Sequence, residues 1–274
     1  MMSIRTTNDA QRTTTTRATL SVVIITKNEE HRITRCLESV RWADDIVVVD
    51  GQSTDQTQAV ARTYGATVIE RPFSGSFGEE RNAGLAVATG EWVLQMDADE
   101  TVSPELRAAI ERLLVEGSSH AALKVRRRNY FLGHRMRYGG WYHYNLVLFR
   151  RALVRYEGLV HERLMVQGTI GVLEGDLLHR PFGSFEQFIE RQNRYTSLQA
   201  RELLQEEGHS SPRLIRELGV RPVKLWWKLY VKKQGFREGF YGLSFSMLFA
   251  WVHFLKWAKY WELRQSQGVA PRIR

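Results

Sequence analysis

Four short runs of β-branched and other apolar residues, at positions 20–26, 45–49, 66–70 and 91–96, alternate with stretches whose apolar side chains recur at helical spacing. A run that is apolar at nearly every position suits a strand buried on both faces, and strands that alternate with helices pair mainly in parallel. After the first run, Ile33, Leu37 and Val40 share one helix face. After the second, Ser53 and Gln56 have the spacing of a capping box, which predicts a helix that starts there and stops near Gly65. Positions 77–88 read as a further helix, and Ser103-Pro104 supplies an N-cap and an N1 proline to a helix that ends near Gly117.

Beyond position 120 the pattern changes. Arg, Tyr, Trp and Gly interleave with short apolar pieces up to position 175, and we read this stretch as strands and loops laid beside the first sheet. Ser184 and Gln187 form another capping box, for a helix that runs towards Glu207 and stops at Gly208; after Pro212 the chain turns aromatic and basic. No repeat with a period of 20 to 50 residues is visible, which argues against a solenoid or propeller. The expected class is α/β with a mainly parallel central sheet and a C-terminal helical extension. Its parts are a flexible tail at 1–19, a main domain at 20–211 and an amphipathic extension at 212–274.

The chain has 274 residues, 43% of them hydrophobic and 25% charged, with a net charge of +9. That composition excludes a disordered or fibrous protein, and the positive surplus suits a nucleic acid, an anionic membrane face or a phosphorylated substrate. Cys36 is the single cysteine, so no intrachain disulfide and no cysteine-based zinc site can form, which fits a reducing compartment. The polar, Thr-rich start lacks the apolar core of a signal peptide. The long uncharged run at 239–255 reaches the lower limit of about 17 residues for a membrane span but is interrupted by Gly242, Ser244, Ser246 and His253. Spanning is disfavoured.

In open α/β sheets ligands bind outside the carboxyl ends of the strands, and those ends carry Thr26 and Asn28, then Asp50, then Asp97 and Asp99. Two carboxylates one residue apart, leaving the sheet together, can share a divalent cation and a ribose; hard oxygen ligands of this kind suit Mg²⁺ or Mn²⁺. The same Asp-x-Asp also fits a solvated acidic turn, and Asp50 a turn leading into a helix through Gly51-Gln52-Ser53.

Taken in order, Ser21-Val-Val-Ile-Ile-Thr-Lys-Asn-Glu-Glu30, Val49-Asp-Gly-Gln-Ser-Thr-Asp55, Arg81-Asn82 and Gly90-Glu-Trp-Val-Leu-Gln-Met-Asp-Ala-Asp-Glu100 resemble the successive signatures of family 2 glycosyltransferases. Gly158-Leu-Val-His-Glu162, His179 and the aromatic C-terminus are similar to the branch that adds glucose to the lipopolysaccharide core. The resemblance implies a GT-A fold and an inverting transfer. By it Thr26, Glu29 and Asp50 would line the nucleoside pocket, Asp97 would meet the ribose or base side, Arg81 would approach the diphosphate or donor sugar, and Asp99 would bind the bridging metal. Many relatives carry an aromatic residue where this chain has Lys27. Glu162 matches the acceptor-side acidic position and would be the catalytic base, removing a proton from the attacking hydroxyl.

His161 and His179 are candidates for completing the metal shell, with a hydrogen-bonded structural role as the alternative for each. Trp141, Tyr142 and Tyr144 offer flat faces to an acceptor sugar, although Trp141 also fits plain core. The Gln-x-x-Arg-Trp segment of processive synthases is absent, and Gln192-Asn-Arg-Tyr195 does not match it, which favours transfer of a single residue. Read as one helix, Lys224, Lys228 and Lys232 form a basic stripe opposite Val223, Trp226, Trp227 and Tyr230, a pattern suited to an anionic leaflet; packing on the main domain or across a homodimer is the alternative.

The expected partners are a nucleotide-sugar donor, with UDP-glucose favoured, a glycolipid acceptor and the cytoplasmic face of the inner membrane. The competing activities are transfer to polyprenyl phosphate and, from another class, nucleic-acid binding. No nucleic-acid motif supports the latter, and Asp50, Asp97 and Asp99 would repel a phosphate backbone.

Overall fold

The computed structural model describes residues 17–73, 76–157, 163–205 and 214–266. The first half alternates as expected: β1 (Leu20–Thr26), α1 (Glu30–Val40), β2 (Asp45–Asp50), α2 (Thr57–Thr63), β3 (Thr67–Glu70), α3 (Phe77–Val87) and β4 (Trp92–Asp97). There follow β5 (Glu100–Val102), α4 (Pro104–Glu116), β6 (Ala122–Phe131), β7 (His134–Arg135), β8 (Tyr142–Arg150), β9 (Val154–Glu157), β10 (Arg163–Val166) and β11 (Ile170–Phe182). The helices α5 (Phe185–Gln205), α6 (Arg221–Trp227) and α7 (Phe240–Ser266) complete the described chain.

One sheet runs β3-β2-β1-β4-β8-β6-β11-β5, with β7 paired to β6, while β9 and β10 form a separate hairpin. The strands β3, β2, β1 and β4 are parallel, as is β6 with β11; β8 joins the two groups antiparallel to both of its neighbours. The later strands therefore extend the first sheet and do not lie beside it. β5, which periodicity did not reveal, closes the far edge antiparallel to β11.

Burial follows the pleat. Leu20, Val22 and Ile24 of β1 face a core shared with Ile33 and Leu37 of α1 and Leu106 and Ile110 of α4, whereas Val23 faces Leu85 of α3 and Tyr156 of β9 on the other side. A strand sandwiched in this way cannot alternate polar with apolar residues, which is why it reads as a continuous run. From Arg17 the chain is held to the body: Arg17 pairs with Asp44 at 2.6 Å and the Ala18 amide donates to the Leu114 carbonyl at 2.9 Å.

The caps divide. Ser103 accepts the Leu106 amide and Ser184 the Gln187 amide, as the spacing predicts. Ser53 does not cap α2, which begins four residues later; its amide and hydroxyl both donate to Asp50, and Asp55 takes the Thr57 amide instead. The loop is organised by the strand-end carboxylate rather than by the helix it precedes.

The C-terminal aromatics also divide. Phe245 of α7 packs with Phe131, Phe182 and Phe188, and Trp257 and Tyr260 pack with Ala200 of α5, so the extension is anchored on the body. Glu238 adds a polar latch, accepting His134 Nε2 at 2.7 Å and the Arg137 and Tyr138 amides. Phe240, Met247, Phe254 and Trp261, seven residues apart along α7, stay exposed. Lys224, Lys228 and Lys232 are exposed as well, but residues Lys228–Lys232 are π-helical, which breaks the 3.6-residue period behind a straight lysine stripe, and Val223 and Trp227 on the opposite side are exposed too. Among the described residues no helix is long and apolar enough to cross a membrane.

Gly90, just before β4, is where two backbones nearly touch. A Cβ there would meet the Ser21 amide nitrogen and lie 2.8 Å from the Leu20 carbonyl carbon, and neither can move without opening the β1–β4 pairing. Gly90→Ala is expected to cost about 1–3 kcal/mol in urea unfolding, the usual penalty of overpacking; an unchanged midpoint would contradict the packing described.

Candidate active site

β1, β2 and β4 end side by side, with Thr26 opposite Asp50 and Ile25 opposite Asp97 in register. The loops beyond them are fixed through Asn28, whose φ of 55° is left-handed. That conformation costs a non-glycine residue about 1 kcal/mol or more. Asn28 offsets it locally: its amide donates to Ser53 Oγ at 2.8 Å and its side-chain oxygen accepts the Thr54 amide at 2.8 Å. A cavity of about 470 Å³ opens beside these ends, walled by β1 and β2, by α3 and by α5.

Thr26 lines the cavity, with its buried hydroxyl lacking a hydrogen-bond partner. Glu29 also lines it, paired with Arg32 at 2.6 Å and 3.8 Å from Arg191 of α5. Arg81 on α3 reaches the Asp97 carboxylate at 3.8 Å. Asp50 is fully buried, and its carboxylate accepts from Ser53 and from Gln58 Nε2, so it is occupied with its own loop. Lys27 is exposed at the cavity wall; the aromatic faces there come from Phe73, Phe77 and Tyr195. Glu162 and His161 lie outside the described residues. Asp176 is held by Arg126 and Arg128.

The two aspartates after β4 have different surroundings. Asp97 is more than a third exposed and faces cations, with Arg127 at 3.1 Å and Arg81 beyond it. Asp99 is 3% exposed, with Arg191 at 3.0 Å from Oδ2 and His179 Nε2 at 3.5 Å from Oδ1. Burial alone would raise the Asp99 carboxyl, but the positive charges of Arg191 and Arg127 hold it well below the carboxylate range. Burial lowers His179, which favours the neutral imidazole. The neighbouring Glu100 is pushed up to about 8 by burial against the pull of Arg127 at 2.6 Å.

Asp99 Oδ1 is thus a buried carboxylate oxygen with no hydrogen-bond partner, facing an imidazole nitrogen. With that nitrogen unprotonated, two electron-pair donors face each other beside the cavity, an arrangement that fits a divalent cation. Among the described residues no group of three or more His, Cys, Asp and Glu side chains converges for a metal, so phosphate oxygens and water would supply the remaining ligands.

Sequence reasoning did not find Arg127, Arg191 or Asn129, which surround this pair. Arg127 belongs to a run of three arginines on β6, where only alternate side chains share a sheet face. Arg191, Tyr195 and Leu198 lie at i, i+4 and i+7 of α5, and that single face, all of which lines the cavity, was the available signal.

The glycosyl transferase family 2 model matches residues 21–164. The chain is 31% identical over 272 residues to the lipopolysaccharide core biosynthesis glycosyltransferase LpsC of Rhizobium meliloti, covering 93% of this chain and 96% of that one. It is likewise 31% identical over 261 residues to the uncharacterized glycosyltransferase RT0209 of Rickettsia typhi, covering 89% and 87%. Among solved structures it is similar to S. aureus TarS 1-349 in complex with UDP-GlcNAc, at 15% identity and a TM-score of 0.46 over 91% of this chain and 92% of that one. The chain belongs to glycosyl transferase family 2, with the GT-A fold, and is a glycosyltransferase.

Asp99 should be the origin of the cluster's energetics. Arg191→Leu leaves a buried carboxylate short of a counter-charge and is expected to cost on the order of 3 kcal/mol, much of it restored by adding Asp99→Asn. A double-mutant cycle in urea measures the coupling; strictly additive losses would show that the two groups do not interact.

Proposed function

We propose that this glycosyltransferase moves a hexose, glucose from UDP-glucose, onto an inner-core sugar of lipopolysaccharide or a related glycolipid, in one inverting and non-processive step that needs Mg²⁺ or Mn²⁺. The observation that carries the reading is the unsatisfied Oδ1 of Asp99, a residue of the cavity wall, opposite His179 Nε2. The likeness to LpsC, which spans nearly the whole of both chains, supports the acceptor class.

In this reading Asp99 and His179 hold the cation, and Asp97, in the mouth of the cavity, meets the ribose. The cation, when bound, neutralises charge that builds on the departing diphosphate. Arg81 and Arg191 add positive charge on either side of the same position, where it stabilises the leaving group without a proton transfer. Thr26 and Glu29 contact the nucleoside, with Asp50 holding the adjacent loop. Glu162 takes the proton of the acceptor hydroxyl on the opposite face of the sugar, so that a single displacement inverts the anomeric carbon.

The extension supports work at the cytoplasmic face of the inner membrane. The charged residues between positions 220 and 240 are all positive except Glu238, which is turned inward to His134, and they stand beside exposed Val223, Trp227, Phe236 and Phe240. Exposed aromatics with lysines suit the headgroup region of an anionic leaflet. A homodimer contact through the exposed face of α7 is the competing use of the same residues.

One transfer assay tests both parts, with UDP-glucose as donor and either vesicle-borne or soluble core acceptor. Asp99→Ala, or EDTA added to the wild type, should lower transfer to either acceptor by at least about 10²-fold with the fold retained. Lys224, Lys228 and Lys232 changed together to Glu should slow only the vesicle-borne reaction, with a deficit that shrinks as salt screens the wild type's attraction. Full turnover in EDTA would overturn the metal reading, and equal rates on vesicles for the triple variant would overturn the membrane reading.

A further inference from the structure

His179 stands in the parallel register opposite Asn129 of β6, whose side chain is fully buried. The Asn129 amide makes two short contacts: Nδ2 lies 2.6 Å from the Trp141 carbonyl and Oδ1 lies 2.6 Å from His179 Nδ1. A carbonyl oxygen can only accept, so the group facing Trp141 must be the NH₂ and the group facing the imidazole must be the oxygen. An amide oxygen also only accepts, so Nδ1 of His179 must carry a proton. In the neutral ring Nε2 then bears the lone pair, and Nε2 is the atom that faces Asp99 Oδ1.

The Trp141 ring reinforces this placement. It stands nearly perpendicular to the His179 ring with centroids 5.7 Å apart and stacks on Phe245 of α7 at 5.1 Å, so both its backbone and its side chain hold the imidazole. A neutral imidazole without such a partner is free to protonate Nε2. That N–H would donate to the Asp99 carboxylate, and the two atoms offered to a cation would be spent on each other.

We propose that Asn129 is a positioning residue, which fixes His179 as its Nδ1–H tautomer and thereby keeps the Nε2 lone pair and Asp99 Oδ1 both available to a divalent cation. This rests on the reading of Asp99 and His179 as metal ligands. Groups that orient a ligating histidine through its other nitrogen typically change metal affinity by 10–100-fold when removed. The neutral Asn129, held by a backbone carbonyl, does here what a carboxylate does in many metal sites.

The test combines ¹⁵N NMR of histidine-labelled protein without metal, which reads the tautomer directly, with calorimetric titration of Mn²⁺ in the presence of UDP. The wild type should show His179 with Nδ1 protonated and Nε2 bare. Asn129→Leu should weaken Mn²⁺ binding by about 10-fold or more, whereas Asn129→Asp, which can still accept from Nδ1, should stay within a few-fold of the wild type. UDP binding without metal should be the same in all three. A purely structural role would penalise Leu and Asp alike, and that result overturns the proposal. So does a wild type protonated at Nε2 alone, a measurement that needs no variant to fold. Wild-type Mn²⁺ affinity in Asn129→Leu, with affinity lost in His179→Ala, also overturns it. Wild-type affinity in His179→Ala would instead overturn the metal reading itself, and the positioning role with it.

Discussion

A carboxylate buried to the extent of Asp99 cannot stay ionised unless its charge is answered nearby, because the loss of hydration is worth several kcal/mol per ion. Its partners come from across the chain. Arg191 arrives on α5, His179 on β11 and Arg127 on β6, and the Asp99 carbonyl takes the Arg180 amide at 2.9 Å. Asp97, two residues earlier and open to solvent, needs less. The two aspartates of one short motif are thus set apart by burial, one held rigidly with an oxygen unsatisfied and the other accessible at the mouth.

The second half of the fold exists, in this light, to complete what the first half begins. The parallel strands β1, β2 and β4 bring the acidic ends together, as any open α/β sheet brings its strand ends together. β8, β6 and β11 carry the sheet onward so that His179 and Asn129 sit beside Asp99, and α5 lays Arg191 and Tyr195 across the cavity. α5 is held by α7 through Phe188, Ala200, Phe245, Trp257 and Tyr260. The aromatic C-terminus therefore has a buried face that steadies the site and an exposed face left for another surface.

The strand ends were legible because a buried parallel strand must be apolar throughout and must stop where polar residues begin; Asp97 and Asp99 could be placed on that rule alone. Two partners of Asp99 were not legible, since Arg127 and Arg191 lie 28 and 92 positions away and no local periodicity relates them to it, whereas His179 was reached only through the family resemblance. One local reading failed where a tertiary contact offered the same atoms a better partner: Ser53 gave up its capping role to the buried Asp50. The lysine spacing after position 224 does not trace a straight stripe because the helix opens into a π turn there. The resemblance to family 2 supplied the order of motifs, and the family match bears it out. Trp141 fits the packing alternative that its sequence left open, since it stacks on Phe245.

We propose that Asp99 and His179, not Asp97, are the side chains that hold the cation. The most direct measurement is a crystal structure of the protein soaked with UDP and Mn²⁺, with the ion located by its anomalous scattering. One ion is expected within about 2.1 Å of both Asp99 Oδ1 and His179 Nε2, its other positions filled by diphosphate oxygens and water. An ion bound through Asp97 with His179 Nε2 out of its reach, or diphosphate bound by Arg81 and Arg191 with no ion at saturating Mn²⁺, would contradict it.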